Sequence, residues 1–78
     1  MTSDDISVLT LQERLNKMKV PKEFYSLGKY KEEALCLEQN GGMWIIYEGE
    51  RGNKYNPRKY QSEYEACLAF LDRIKDFL

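Results

Sequence analysis

The 78-residue chain has no histidine, two cysteines, two prolines and no long apolar run. Histidine is the commonest acid–base side chain in catalysis and the commonest metal ligand, so its absence removes much of the chemistry of an enzyme. Cys36 and Cys67 lie far apart in the chain and belong to no metal-binding spacing. We therefore expect no enzymatic activity and no catalytic, cofactor-binding or metal site, and we predict that both cysteines are buried free thiols.

Positive charge is also not in excess, because 12 basic side chains face 13 acidic ones and the formal net charge is −1. General nucleic-acid binders usually carry a clear basic excess, so this balance disfavours that class. Residues 1–7 (Met-Thr-Ser-Asp-Asp-Ile-Ser) lack the basic and apolar regions of a signal peptide, and no segment approaches a membrane span in length. These features predict a cytoplasmic protein without a membrane partner, and the length predicts a single domain over residues 1–78.

A helix is predicted near each end of the chain. Residues 10–13 (Thr-Leu-Gln-Glu) have the form of a capping box, and an apolar stripe follows at helical spacing up to Pro21. Whether residues 4–8 add an earlier turn is left open by the sequence. Residues 62–65 (Ser-Glu-Tyr-Glu) repeat the box ahead of a wider stripe. The stripe positions are Leu11, Leu15 and Met18 in the first helix, and Cys67, Phe70, Leu71, Ile74, Phe77 and Leu78 in the second.

Strands are predicted between these helices. The segment 24–27 is short and aromatic. Along residues 34–39 successive side chains alternate between two faces, with Leu35 and Leu37 on one face and Cys36 on the other. Residues 43–47 are rich in β-formers and apolar on both faces, which is typical of a central strand flanked on each side.

Turn signals separate and follow these strands. The Asn-Gly-Gly run at 40–42 predicts a tight hairpin, and residues 48–53 predict a bend or turn. Residues 54–60 predict a further strand that Pro57 confines to a sheet edge or makes irregular. The expected fold is α+β, a small antiparallel sheet of three to four strands with an N-terminal and a C-terminal helix, in the order α-β-β-β-(β)-α.

Two clusters of charge have a functional and a structural interpretation each. Basic residues alternate with tyrosines over 51–60, an arrangement that binds phosphates and stacks bases but that also protects an exposed edge strand. Glutamates on neighbouring predicted strands form either a solvated face or a surface for a basic partner. Arg51 lies close to two of these glutamates in the sequence and can pair with a carboxylate, and the adjacent glycines allow close backbone approach. The basic cluster comprises Arg51, Lys54, Arg58 and Lys59 with Tyr55 and Tyr60, and the acidic one comprises Glu32, Glu33, Glu38, Glu48 and Glu50.

The element order matches the double-stranded-RNA-binding domain in outline. That family opens its second helix with a lysine-rich cluster directed at phosphates. Here the equivalent positions are Gln61, Ser62, Glu63 and Glu65, and the two glutamates would repel phosphate. The likeness is therefore one of topology, and we do not assign the chain to that family.

A resemblance in the residues themselves covers about positions 24–78. The run of Tyr-Ser-Leu at 25–27, Ala-Leu-Cys-Leu-Glu at 34–38, a Trp44-centred strand, Glu-Arg-Gly at 50–52 and Ser-Glu-Tyr-Glu-Ala-Cys at 62–67 resembles small bacterial immunity proteins. These proteins accompany polymorphic secreted toxins, including those of contact-dependent growth inhibition systems. Glu48-Gly49 ahead of the Glu-Arg-Gly departs from the pattern, in which a tyrosine or serine is expected.

The resemblance implies an immunity protein that binds and neutralises a cognate secreted toxin in the bacterial cytoplasm, as a monomer in a 1:1 complex. A basic nuclease toxin would suit a carboxylate-bearing face. We predict that the toxin interface contains Glu32, Glu33, Glu38, Glu48, Glu50 and Arg51. The alternative hypothesis is a small nucleic-acid-binding module that uses the basic residues of the 51–59 segment.

Overall fold

A computed structural model describes residues 7–77, which form a helix, a four-stranded sheet and a second helix. The bounds are α1 Val8–Lys17, β1 Tyr25–Leu27, β2 Ala34–Asn40, β3 Met43–Glu50, β4 Asn53–Tyr60 and α2 Glu63–Ile74. Short 3₁₀ turns, Lys22–Phe24 and Lys75–Phe77, precede β1 and follow α2. The predicted α+β class and element order are confirmed, and the optional fourth strand is present.

Helix α1 begins earlier than the predicted capping box. Its N-cap is Ser7, whose hydroxyl accepts a hydrogen bond from the Thr10 amide while the Thr10 hydroxyl accepts one from the Ser7 amide at 2.8 Å. Thr10 therefore occupies the third position of the helix and is not its cap, because Ser7 and Thr10 make the reciprocal pair themselves. Leu11 and Leu15 are buried as predicted. Of the segment 4–8 left open by the sequence, residues 4–6 lie outside the described residues.

Helix α2 begins where the sequence predicts. Ser62 is its N-cap, and the Ser62 hydroxyl accepts a hydrogen bond from the Glu65 amide at 3.1 Å. The neighbouring Glu63 carboxylate accepts a hydrogen bond from the Val8 amide at 2.7 Å, which joins the starts of the two helices. Phe70 and Ile74 are fully buried in the stripe. Of the predicted stripe, the Phe77 side chain and Leu78 lie outside the described residues.

The sheet is mixed, which corrects the expected all-antiparallel arrangement. Its strand order is β1-β2-β3-β4; β2–β3 and β3–β4 are antiparallel, whereas β1 pairs in parallel with β2. A parallel pair normally needs a long crossover. Here β1 has only three residues, so residues 28–33 are long enough to connect the end of β1 with the start of β2.

Strand β4 lies at the sheet edge and is irregular, as Pro57 predicts. The pairing shifts by one residue between Ile46↔Arg58 and Glu48↔Tyr55, so Asn56 and Pro57 together oppose Tyr47. Asn56 has a φ of 52°, which places it in the left-handed region. This is a β-bulge, and it places a residue without an N–H where the regular ladder is already interrupted.

Each face of the sheet has its own apolar cluster. On the helix face, the strands pack against α1 and α2 around a main core that includes Leu37, Ile46 and Phe70. On the opposite face, residues 28–33, which we call the covering loop, lie over a smaller cluster of Ala34, Cys36 and Tyr47. We call this opposite face the loop face.

The cysteines lie on different faces of the sheet. Cys36 belongs to the cluster of the loop face, and Cys67, a residue of α2, belongs to the main core. Both are buried free thiols, as predicted, and burial raises the pKa of Cys67 to about 11.

Within residues 7–77, no helix has the length and apolar character needed to cross a membrane.

Candidate functional site

Strands β3 and β4 are joined by a two-residue turn at Arg51 and Gly52. Their φ angles are 54° and 79°, and the flanking Glu50 and Asn53 face each other across the hairpin. Two consecutive positive φ angles define a type I′ turn, which usually contains Asn-Gly because both residues tolerate that conformation. An arginine in the first position is conformationally unfavourable, so other contacts must stabilise this turn.

Glu32 of the covering loop supplies those contacts. Its carboxylate accepts hydrogen bonds from the Arg51 amide, from the Gly52 amide at 3.2 Å and from the Tyr30 hydroxyl at 2.7 Å. The Gly52 amide also donates to the Tyr30 hydroxyl at 2.8 Å. These bonds favour the ionised carboxylate, so the hydrogen bond from Tyr30, followed by that from Arg51, lowers the pKa of Glu32. Glu32 thus has a role inside the chain that the sequence analysis did not predict.

Gly49 allows the covering loop to lie against β3. A Cβ atom at this position would be 2.3 Å from the Lys31 carbonyl oxygen, and the Glu33 amide donates a hydrogen bond to the Gly49 carbonyl at 2.7 Å. The glycines of this segment are expected to allow close backbone approach. At Gly49 the approaching backbone is the chain's own, at Lys31.

Three of the predicted site residues lie around one shallow pocket. Glu33, Glu48 and Glu50 line a pocket of about 230 Å³, together with Ala34 and Gly49. We call it the acidic pocket. Glu48 forms an ion pair with Arg73 of α2, with a distance of 3.0 Å between Glu48 Oε2 and an Arg73 Nη atom. Among residues 7–77, Glu33 and Glu50 form no ion pair.

Glu38 lies elsewhere, on the loop face, away from the acidic pocket. Its carboxylate accepts a hydrogen bond from the Tyr47 hydroxyl and lies 3.6 Å from the Lys54 ammonium group. The same ammonium group is 4.9 Å from the centre of the Tyr47 ring. The Tyr30 ring stacks on the Tyr47 ring, with the two ring centroids 6.2 Å apart. Burial, and then the hydrogen bond to Glu38, raise the pKa of Tyr47.

The six predicted residues are therefore divided among three places. Glu33, Glu48 and Glu50 share the acidic pocket; Glu32 and Arg51 meet at the hairpin turn; Glu38 stabilises the loop face. The predicted acidic surface is thus smaller and more localised than a whole face of the sheet.

The basic residues of the 51–59 segment do not form one surface either. Lys54 and Lys59 pair with Gly49 and Ile45 on the loop face, whereas Arg58 pairs with Ile46 on the helix face. Partners in an antiparallel pair point to the same face, so alternation along β4 separates these charges. Lys54 is already paired with Glu38.

Arg73 is a residue that the sequence analysis missed. Besides its ion pair with Glu48, Arg73 donates a hydrogen bond to the Asn56 carbonyl at 3.5 Å. It also lines a larger pocket of about 480 Å³ between β4 and α2, which we call the arginine pocket. The lining residues are Asn56, Arg58, Tyr60, Ala69, Asp72 and Arg73. The clue in the sequence was a charged residue between Phe70 and Ile74, on the flank of an apolar stripe.

No group of three or more acidic or cysteine side chains within residues 7–77 is arranged to hold a metal ion. Three of the residues that line the acidic pocket are glutamates, and carboxylates form short hydrogen bonds with cationic side chains.

No protein-family model matches the chain, and comparisons with curated proteins and with solved structures gave no match.

Proposed function

We propose that this domain is an immunity protein that binds a secreted toxin in the bacterial cytoplasm and neutralises it in a 1:1 complex. The sequence resemblance suggests the class, and the acidic pocket supplies a binding feature that fits it. The observation that carries the proposal is the convergence of Glu33, Glu48 and Glu50 on one pocket. We expect this pocket to receive a lysine or arginine side chain of the toxin.

The charge of the pocket supports a basic partner. Glu48 is compensated by Arg73, whereas Glu33 and Glu50 are exposed and have no ion pair within the described part of the chain. Two uncompensated carboxylates attract a cationic surface over several ångströms and accelerate association at low salt. A nuclease toxin with a basic substrate cleft has the complementary charge.

The backbone around the pocket is organised by contacts within the chain. The Glu33 amide bonds to the Gly49 carbonyl, and Glu32 stabilises the turn that follows Glu50. A partner that meets a pre-organised pocket loses less free energy to ordering the chain during binding. This arrangement suits a domain that acts by occupying a toxin surface.

The nucleic-acid alternative has less support from the geometry. Binding to a phosphate backbone is strongest when several basic side chains line one path. Lys54 and Lys59 lie on the face opposite to Arg58, and Lys54 contacts Glu38. We therefore keep the toxin-binding proposal as the function the structure supports best.

The test is a growth-protection assay. The domain is co-expressed with the C-terminal domain of a large secreted protein encoded beside its gene, and wild type should restore growth. The double variant Glu33→Gln/Glu50→Gln should lose protection, because both uncompensated carboxylates are gone. The matched control Glu13→Gln/Glu23→Gln removes two exposed carboxylates elsewhere and should protect fully. A folded pocket variant that protects as well as wild type, or a neighbouring locus without a secreted toxin, would contradict the proposal.

A further inference from the structure

The arginine pocket has the composition of a site for an anionic group. Arg58 projects from β4 on the helix face, and Arg73 projects from α2 on the opposite wall. Arg58 is exposed and forms no ion pair or side-chain hydrogen bond among residues 7–77. A guanidinium group offers several N–H donors in a plane, which matches the two oxygens of a carboxylate.

Arg73 is positioned by two contacts from different strands. One Nη atom contacts Glu48 Oε2 at 3.0 Å, and the other donates to the Asn56 carbonyl at 3.5 Å. Its side chain is 21% exposed and lines the pocket, while the two contacts fix the guanidinium group against the sheet. Asn56 lies in the positive-φ bulge of β4, and its carbonyl is the acceptor for this bond from α2.

Asp72 limits what the pocket can accept. It lies on the same wall, next to Arg73 in the sequence. Because the charge of Arg73 is compensated by Glu48, Asp72 adds one negative charge against the single uncompensated positive charge, that of Arg58. One bound carboxylate would accept hydrogen bonds from the N–H groups of Arg58, which form no bond to another side chain within residues 7–77. A run of phosphates would meet increasing repulsion from Asp72, because like charges disfavour each other at short range.

We infer that the arginine pocket between β4 and α2 binds a carboxylate group of an acidic side chain from the protein partner, with Arg58 as the principal ligand and Arg73 as the second. This inference rests on the proposed function, because it assumes a protein partner. The Glu48–Arg73 ion pair joins this pocket to the acidic pocket. A partner surface carrying neighbouring basic and acidic side chains would therefore be complementary to both pockets.

The binding step can be tested on the isolated domain without a toxin. Acetate, the simplest stand-in for the carboxylate of Asp or Glu, replaces chloride at constant ionic strength, and NMR follows the arginine side-chain and backbone signals. Saturable shifts are expected at Arg58 and Arg73. Arg58→Gln should weaken the apparent affinity about three- to fivefold, and Asp72→Asn should strengthen it about twofold, the size of effect expected for exposed charge pairs.

The matched control is Lys59→Gln, which removes the adjacent positive charge on the loop face and should change the affinity by less than about 1.5-fold. Equal affinity in wild type and Arg58→Gln, or equal weakening by Lys59→Gln, would overturn the inference. A second titration uses inorganic phosphate. If phosphate shifts the same signals with an affinity more than about tenfold tighter than acetate, the site is a phosphate site and the carboxylate assignment is wrong. These outcomes leave the growth-protection test of the proposed function unaffected.

Discussion

On its helix face the sheet contacts two amphipathic helices, whereas on its loop face it contacts the covering loop of residues 28–33. The helix face is stabilised by apolar burial around residues such as Phe70 and Ile46. The loop face combines a small apolar cluster with specific polar contacts, among them Tyr47 to Glu38 and Tyr30 to Glu32. The acidic pocket joins the two regions, because Glu33 belongs to the covering loop whereas Glu48 pairs with Leu35 on the helix face and contacts Arg73 of α2.

The largest effect is expected on the helix face, from Phe70→Ala. Phe70 is fully buried in the main core, and removing a buried aromatic ring typically costs about 3–5 kcal/mol. For a domain of this size that is a large part of the total stability. Leu68→Ala, on the 43% exposed position of the same helix, is the control and should cost less than about 1 kcal/mol. Urea unfolding measures both, and similar losses would contradict the assignment of the core.

Gly49→Ala is expected to have the next largest effect, and it acts on the loop face. The new Cβ would be 2.3 Å from the Lys31 carbonyl oxygen, so the covering loop must move away from β3. We expect a loss of about 1–3 kcal/mol in the free energy of unfolding, as for overpacking elsewhere. In contrast, Gly42→Ala places its Cβ in open space and should be better tolerated. If the two variants unfold at the same urea concentration, the close contact at Gly49 is wrong.

Tyr47→Phe tests the polar part of the loop face. It removes the hydroxyl that donates to Glu38 and keeps the ring that contacts Tyr30 and Lys54. We expect a destabilisation of about 1–2 kcal/mol, because a partly buried carboxylate loses a donor. Tyr55→Phe changes an exposed side chain on β4 and should have little effect on the unfolding midpoint. An unchanged midpoint in Tyr47→Phe would show that this hydrogen bond contributes nothing to stability.

Glu32→Gln is expected to have the smallest effect, visible mainly in the pH dependence of stability. The pKa of Glu32 lies below its usual value of 4.5, because Tyr30 and the Arg51 amide bond to its carboxylate. Such a carboxyl stabilises the fold above its unfolded pKa, and this stabilisation is lost as the pH falls through the folded pKa.

The thermal midpoint of wild type should therefore fall as the pH is lowered from about 6 to about 3, and Glu32→Gln should show a smaller fall. The variant should also be less stable than wild type at neutral pH. Glu13→Gln, an exposed helical position, should keep the wild-type profile. Parallel profiles for wild type and Glu32→Gln would mean that the turn does not depend on the charge of Glu32.

The local features of both faces can be predicted from the sequence, whereas the contacts between distant parts of the chain cannot. Periodicity and turn preference predict several features that the structure confirms. These are both helices, the alternation of Leu35, Cys36 and Leu37, the turn at 40–42 and the edge position of Pro57. Each of these signals is contained in a short stretch of chain. The sequence pattern predicts the start of α1 three residues too late, because the N-cap is Ser7 and the predicted capping box begins at Thr10.

The rest of the site depends on residues far apart in the chain, which local patterns do not connect. Glu32 and Arg51 are 19 residues apart, and Glu48 and Arg73 are 25 apart. The parallel pairing of the three-residue β1 is likewise a tertiary contact, since nothing in its sequence distinguishes a parallel from an antiparallel partner. For the same reason, a list of charged residues on neighbouring strands did not reveal that Glu38 lies apart from the acidic pocket.

The most direct test of the central claim is the association rate of the domain with the proposed toxin partner at low and at high salt. The account predicts fast, salt-sensitive association for wild type and for Glu13→Gln/Glu23→Gln. For Glu33→Gln/Glu50→Gln it predicts a rate about tenfold lower at low salt and close to that of wild type at high salt. Identical rates for wild type and the pocket variant at both salt concentrations would contradict a role for the acidic pocket in binding the partner.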